Sequence, residues 1–508
     1  MKVKRILAVL MSTIMVVGML AACGNSGSSE TNSSASESEA DVPQSVEKVV
    51  MGFLGFSVPS AEGEAAVEAA INEITREKIG VEVDLLIMDG MSYAQQMTLM
   101  LSGNEQLDIF NCIAMGFTSV VNNGYTLNLE ENNLIQTYGA GAMEVMADYI
   151  DGCRFDGTLY GIPQNKDYAS YQNGYIIAAD DLDGIDYSYS AAEVNKITWD
   201  ELENIMAQLH EAYPEKNTFI PQRVLVGSSI FCDTIGNDNF GVMMKPDTSL
   251  EISNLFTSPE YMEACQRIYR WNQMGYISGD AMTSDQGNTE AVGSNAGISY
   301  LCNIKAGVIT QESARCGKPV VAFQIGEVSL VASSTASSNP WCINSNSEHP
   351  EAAMKLLNAF YTDPELANLL AYGIKDVDYV IAGDGHYSFP EGSDGKVGYH
   401  PNISWLMPNQ FLTGVWEGNS LDVWEQTEAI NKSAPVSKAS GFMFDNAELS
   451  TEYAALTNIY DEYRDQIEFG FVDPEVAIPE MVQRMNNAGL EAYMAAKQQQ
   501  LDDWSKDQ

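Results

Sequence analysis

The chain has 508 residues, with 26 lysines and arginines against 70 aspartates and glutamates, for a formal charge of −44. So acidic a body repels phosphates and has few cations with which to displace their counterions, which excludes nucleic acid as a partner and removes charge as a means of docking on anionic lipid. Hydrophobic residues at 45% and aromatics at 9% are those of a globular protein, and a chain this long is expected to divide into at least two lobes.

Lys2, Lys4 and Arg5 open the chain, an apolar run from Ile6 to Met19 follows, and Leu20-Ala21-Ala22-Cys23 closes it. A run of roughly 14 residues is too short to span a bilayer, and small residues before a cysteine make a lipobox, so residues 1–22 read as a lipoprotein signal peptide. Cys23 is then the lipid-bearing first residue of the mature protein. Removing the signal takes away three cations and no acids, which leaves −47. Residues 23–46 are rich in Ser, Asn and Glu and form a flexible tether with a root-mean-square reach of roughly 25 Å.

The folded part is expected to begin with a strand at Val49 to Leu54, stopped by Gly55 and Pro59. Helical spacing of Val67, Ile71, Ile74 and Ile79 predicts a helix ended by Gly80. A strand over 81–87, a helix over 93–101 and a strand over 107–110 complete an alternation that predicts a parallel sheet with covering helices. Further along, Thr198 and Glu201 make a capping box for a helix to His210. Pro350 starts another whose apolar face is Ala353, Leu356, Leu357 and Phe360. Asp384-Gly385 and Asp394-Gly395 mark turns of a small hairpin between 379 and 399, and 474–504 reads as helices interrupted near Gly489.

Enzymatic signatures are thin. His210, His349, His386 and His400 show no metal-ligand spacing, and no HExxH, GxSxG, GxxxxGK[ST] or GxGxxG stretch occurs. Asp180 to Asp186 is acidic, but Gly184 falls too early for an EF-hand loop. Besides Cys23 the chain has Cys112, Cys153, Cys232, Cys265, Cys302, Cys316 and Cys342 with no CxxC pair, so buried thiols are expected rather than a disulfide framework or a metal site. No cofactor and no metal are expected. More telling are aromatic and amide residues beside turns: Gly161 to Tyr168 (GIPQNKDY), Asn339-Pro340-Trp341, Ser404-Trp405, and Trp416 with Trp424. Rings that stack on the flat apolar face of a pyranose, with amides and carboxylates for its hydroxyls, suit a neutral polyhydroxylated ligand.

Several stretches in this order resemble family 1 extracellular solute-binding proteins, the receptors of carbohydrate ABC importers. They are the lipobox, EAAINEITREKIGVEVDLL followed by YAQQMTLMLSGNEQLDIF, DGTLYGIP, and SEHPEAAMKLLNAFYTDPELANLLAYG. The end, from GFMFDNAELSTEYAALTNIYDEY to FVDPEVAIPEMVQRMNNAGLEAYMAAKQQQLDDW, is similar to the extra C-terminal region of a Gram-positive lipoprotein subfamily. The resemblance implies an α/β, two-lobed, type II periplasmic-binding-protein-like fold. Each lobe would hold a mixed, mainly parallel sheet covered by helices, with the ligand cleft between lobes. It implies no enzyme but a monomeric receptor, lipid-anchored on the extracellular face of the cell membrane, that hands a mono- or oligosaccharide to ABC permease subunits. The alternatives are a receptor for a peptide or other polar solute and, further off, a surface glycan hydrolase.

On this pattern lobe I takes 47–162 and 319–343, lobe II takes 163–318 and 344–400, and 401–508 is a C-terminal helical region completing the lobes. Pro163 marks the first crossing, so Asp167 is expected to accept hydrogen bonds from ligand hydroxyls, with Asn165 and Tyr168 on the same wall. Tyr300, Trp341 and Trp405 are expected to offer ring faces. Where maltose-binding relatives carry a Trp after the third strand, this chain has Asn111-Cys112, so that platform must come from elsewhere.

Overall fold

A computed structural model describes residues 46–506 apart from 104 and 394. The signal peptide, Cys23 and the tether to residue 45 lie outside the described residues. Two main sheets are built from β1 (Glu47–Gly55), β2 (Val81–Asp89), β3 (Ile109–Asn111), β4 (Tyr171–Ala178), β5 (Asn195–Lys196), β6 (Asn217–Ile220), β7 (Gly297–Ile304), β8 (Val320–Gln324) and β9 (Trp341–Ile343).

The first sheet runs β9-β3-β1-β2. β1 pairs in parallel with β2, from Glu47 opposite Val81 to Gly55 opposite Asp89, and in parallel with β3. β1 and β2 are joined by the helix Ala61–Ile79, whose first turn is capped by the Ser60 side chain and whose end is set by Gly80 at φ 69°, a left-handed conformation that glycine adopts without a Cβ clash. The strand β9 returns from more than 200 residues away to lie antiparallel to β3, with Cys342 opposite Phe110. Val49, Met51, Phe53 and Ile109 pack from this sheet into the first core.

The second sheet runs β7 and β4 side by side in the order β5-β8-β4-β7-β6. It is evenly mixed: β4 is antiparallel to both β8 and β7, while β5 and β6 are parallel to their neighbours. Both faces are covered. Tyr175 and Ile177 of β4 point into one core with Leu202, Trp271 and Phe323, while Ile176 and Ala178 point into another with Tyr300, Val308 and Ala322. That two-sided burial is why β4 reads as an apolar run rather than as an alternation. The capping box of the helix Trp199–Ala212 is present, with Glu201 Oε2 accepting from the Thr198 amide at 2.7 Å.

Two boundaries differ from expectation. The return segment 319–343 is divided: β8 stays in the second sheet opposite β4, and only β9 joins the first. Residues 344–400 were expected in lobe II, but the helix Pro350–Thr362 buries Ala353, Leu356, Leu357 and Phe360 in the first core together with Leu366, Tyr372, Tyr379 and Tyr399. An amphipathic helix states that it needs a core and not which one. The C-terminal region divides between the lobes in keeping with the expected completion of both, since Ile403, Leu406, Met407 and Ala434 belong to the first core and buried residues from Ala439 to Leu501 to the second.

The helices Ser450–Glu468, Pro474–Asn487 and Leu490–Lys506 cover the second lobe. Lys497 fixes the last of them. Its ammonium is fully buried and donates to Asp238 Oδ1 at 2.9 Å and to the carbonyls of Ile235 and Gly241, while Tyr493 donates to Asp238 Oδ2 at 2.8 Å. Burial pushes the Lys497 ammonium below its ordinary value, and Asp238 opposes that shift. Asp238→Ala is therefore expected to cost about 3–5 kcal/mol in urea denaturation by leaving the buried Lys497 charge uncompensated.

Candidate functional site

A cavity of about 960 Å³ opens between the two lobes. Its first-lobe side is made by residues 402–427, short turns leading into the helix Val423–Ser433, and Trp405 and Trp416 of those turns rest on the first core. Phe56, at the end of β1, meets Trp405 at 6.3 Å between ring centroids, and Trp424 stacks on Phe411 at 5.9 Å with its indole N–H donated to the Thr413 carbonyl. Trp405, Trp416 and Trp424 are all half-buried, so each keeps ring surface toward the cavity that it lines. The second-lobe side is polar, formed by Lys305 and by Thr310, Gln311 and Arg315 of the helix Val308–Cys316. At one end the lobes touch, where the Thr310 hydroxyl donates to the Gly418 carbonyl.

Asp167 and Lys305 form an ion pair at 2.7 Å in the cleft, with side chains 25% and 34% exposed. A pair so open to water is worth only about 0.2–1 kcal/mol, so a ligand hydroxyl can enter it as a third partner at small cost. Beyond it lies a second chamber of about 440 Å³, lined by Ser170, Gln222, Asn288 and Asn303. Asp167, Lys305, Gln311 and Arg315 line both chambers. Among the described residues no cluster of His, Cys, Asp or Glu could hold a metal ion, and no helix is long and apolar enough to cross a membrane.

The expected site residues separate into two sets. Asp167 and Trp405 face the large chamber together. Asn165 lies on the same crossing segment but spends its amide on Asn409 Oδ1 at 3.0 Å, away from the cavity. The Tyr168 ring is buried, stacked on Tyr149 at 4.2 Å, and donates its hydroxyl to the Gln164 carbonyl. Desolvation pushes that hydroxyl well above its ordinary value. Tyr300 and Tyr168 both border the smaller chamber, but Tyr300 is 1% exposed and donates its hydroxyl to Glu312 Oε2 at 2.6 Å, so little of its ring is open to a ligand. Trp341 is fully buried against Phe53 and donates its indole N–H to the Leu406 carbonyl at 3.0 Å.

Alternation explains these corrections. Trp341 and Tyr300 sit in β9 and β7, where the side of the sheet decides burial, and a flanking proline carries no information about that side. Phe56, Lys305, Gln311, Arg315, Gln222, Trp416 and Trp424 were missed as site members. Only the last two carried a signal, as tryptophans eight residues apart among turns. Of the seven cysteines after Cys23, all are free thiols, five of them buried and Cys232 and Cys302 partly so.

A two-lobed α/β body with an aromatic and amide-lined interlobe cleft defines a type II solute receptor. The model of the bacterial extracellular solute-binding proteins matches residues 69–377, and the chain belongs to that family. A domain of unknown function, DUF3502, matches 438–506, the helices over the second lobe. A carbohydrate ABC transporter substrate-binding protein of Streptococcus pneumoniae is 26% identical over 520 residues, covering 97% of each chain. The solved N-glycan transport solute binding protein of the same species superposes with a TM-score of 0.78 at 22% identity, covering 91% of this chain and 99% of that one. An extracellular solute-binding protein of Bifidobacterium longum subsp. infantis gives 0.60 at 15% identity, over 90% and 98%.

The two sets of tryptophans are separable by stability. Trp341→Ala is expected to lose about 3–5 kcal/mol in chemical denaturation, as buried aromatic truncations do, whereas Trp405→Ala, half-exposed on the cavity wall, should lose a small fraction of that.

Proposed function

We propose that the chain is the capture subunit of a carbohydrate ABC importer, held at the extracellular face of the cell membrane by lipid on Cys23, closing its lobes on a sugar and presenting it to the permease. The observation that carries the reading is the pairing of one aromatic wall, with Phe56, Trp405, Trp416 and Trp424, with one hydrogen-bonding wall, with Asp167, Lys305, Gln311 and Arg315, across a single cavity. A sugar loses strong hydration on entry, so its hydroxyls need partners while its ring faces gain from burial on aromatics. The name of the pneumococcal relative as a carbohydrate transporter's substrate-binding protein, and the solved N-glycan transport solute binding protein of that species in complex with Man1GlcNAc and Man5GlcNAc, support the same cargo class.

Charge in the cleft argues in the same direction. The large chamber is lined by Lys305 and Arg315 against Asp167 and Glu417, a local balance within a chain of −44. A receptor for cationic peptides would be expected to place its surplus of acids at the ligand. Closure by hinge motion is the class of movement such a two-lobed body allows, and ligand shifts it by binding the closed form better.

A thermal-shift screen over mono- and oligosaccharides tests the cargo: a true ligand at 100 times its dissociation constant adds about 2.7 kcal/mol of stability, and a screen with no shift for any carbohydrate refutes it. With such a ligand, Asp167→Ala should weaken binding by about 1–3 kcal/mol in calorimetry, with little change in unfolding of the free protein. Anchoring is tested separately: Cys23→Ala should abolish lipid labelling and membrane retention in cells, and a variant that still fractionates with the membrane refutes the lipobox.

A further inference from the structure

Residues 438–506, the region matched by a domain of unknown function, do more than cover the second lobe. Their opening stretch touches both lobes. Phe442 and Phe444 are buried in the second core, whereas Met443 between them packs on the first. The stretch lies outside helices and strands, where neighbouring side chains are free to leave the backbone on opposite sides, so three consecutive residues reach two bodies. On the first-lobe side the Thr118 hydroxyl donates to Met443 Sδ at 3.5 Å. Two residues earlier, Gly441 at φ 87° passes so near the first lobe that a Cβ there would stand 2.8 Å from the Asp151 carbonyl oxygen. Only glycine allows both that conformation and that approach.

The second-lobe side is held by the last helix. Phe442 meets Trp504 at 5.7 Å and Phe444 meets Tyr493 at 5.4 Å between ring centroids. The Asp445 amide donates to Gln500 Oε1 at 3.0 Å, and Gln500 Nε2 donates to the Asp445 carbonyl at 2.8 Å. Tyr493 also donates to Asp238, the partner of the buried Lys497, so the stretch is keyed to the part of the helix that Lys497 fixes.

This bridge stands beside a passage between the lobes rather than in the cleft. A groove of about 420 Å³ marks the place, lined by Phe117 and Thr118 of the first lobe, by Ser333 and Ser337 of the passage and by 442–447. None of the residues lining it lines either chamber of the cleft. A contact so placed cannot touch the solute, but it can decide how freely the lobes move before the solute arrives.

We propose that the region 438–506 is a bracket for closure: its last helix holds 442–445 on the second lobe, and Met443 bears on the first lobe as the pivot that limits how widely the lobes part. This rests on the closing motion proposed above and not on the cargo being a sugar. A ligand that closes the lobes has to order whatever freedom they had when free, so a bearing that narrows the free ensemble raises affinity from outside the site.

Double electron–electron resonance tests this on the full folded chain without its signal peptide, with spin labels carried on noncanonical residues at Leu99 and Met274, exposed positions on the first and second lobes. The free parent is expected to give a narrow distribution of separations, Met443→Ala a distinctly broader one, and Met443→Leu, which restores an apolar side chain of similar volume, the parent's width again. Circular dichroism should not distinguish the three, since Met443 is only half-buried. With a ligand found in the screen above, Met443→Ala should weaken binding by roughly two- to thirtyfold, the span of couplings carried between separate sites. A Met443→Ala distribution as narrow as the parent's overturns the proposal, and so does a broadening that Met443→Leu fails to reverse. If no solute shifts the parent's distribution, the closing motion falls and the bracket with it, whereas a parent that closes only on a solute other than a carbohydrate removes the cargo reading and leaves the bracket standing.

Discussion

Two cores can share one cleft only if the chain passing between them is satisfied without a sheet. The backbone of 162–170, 325–340 and 434–438 runs between the lobes largely outside regular structure, and buried peptide groups left without partners are not tolerated. Side-chain amides and hydroxyls take up the task. Asn431 accepts from the amides of Tyr168 and Ala169 and donates to the Lys166 carbonyl. Tyr361 donates to the Ile162 and Pro163 carbonyls, and Asn409 donates to the Tyr361 carbonyl while accepting from Asn165. Asp233 accepts from both the amide and the hydroxyl of Ser333, and Val331 and Ser437 exchange backbone hydrogen bonds with the passage beside them. Asp167 is positioned by this network, and so is the chain that carries Trp405.

The same constraint explains what was legible in the sequence. The first sheet alternates with helices over 47–111, each carrying its own caps and breaks, so local pattern sufficed there. The passages carry no periodicity. Their asparagines and tyrosines look identical whether they satisfy backbone or a ligand, which is why Asn165 and Tyr168 read as site residues although the Asn165 amide is taken by Asn409 and the Tyr168 hydroxyl by the Gln164 carbonyl, while Asp167 beside them faces the cavity. Gln222 and Arg315 gave no signal at all, because only the tertiary fold brings the loop after β6 and the helix after β7 to one chamber.

Assignment to a lobe was hard to read for a related reason. The chain leaves the second sheet at Gln324 and regains the first at Trp341, but apolar runs such as those of β8 and β9 carry no label for one sheet or the other. Neighbouring strands chose for them: β8 found an antiparallel edge on β4, and β9 found one on β3. Once β9 was in the first sheet, the helix starting at Pro350 had that sheet nearest to cover, and lobe I acquired much of its core from residues that follow the crossing.

The distribution of interaction strength fits a body that must open and close. The contacts on the passages are largely buried and hydrogen-bonded to several neighbouring segments, so they resist solvent and hold their geometry. The contacts at the cleft are of another kind: an exposed ion pair between Asp167 of the passage and Lys305 of the second lobe, and a hydroxyl to carbonyl contact between Thr310 and Gly418. Surface pairs of this sort contribute little, so the lobes can part at small cost while the passages keep their hydrogen bonds. With so little holding the lobes together in the free protein, the main contribution to closure falls to the ligand itself, through the rings on one wall and the donors on the other. On the proposed function, the closed population would report occupancy, which is what a permease has to sense.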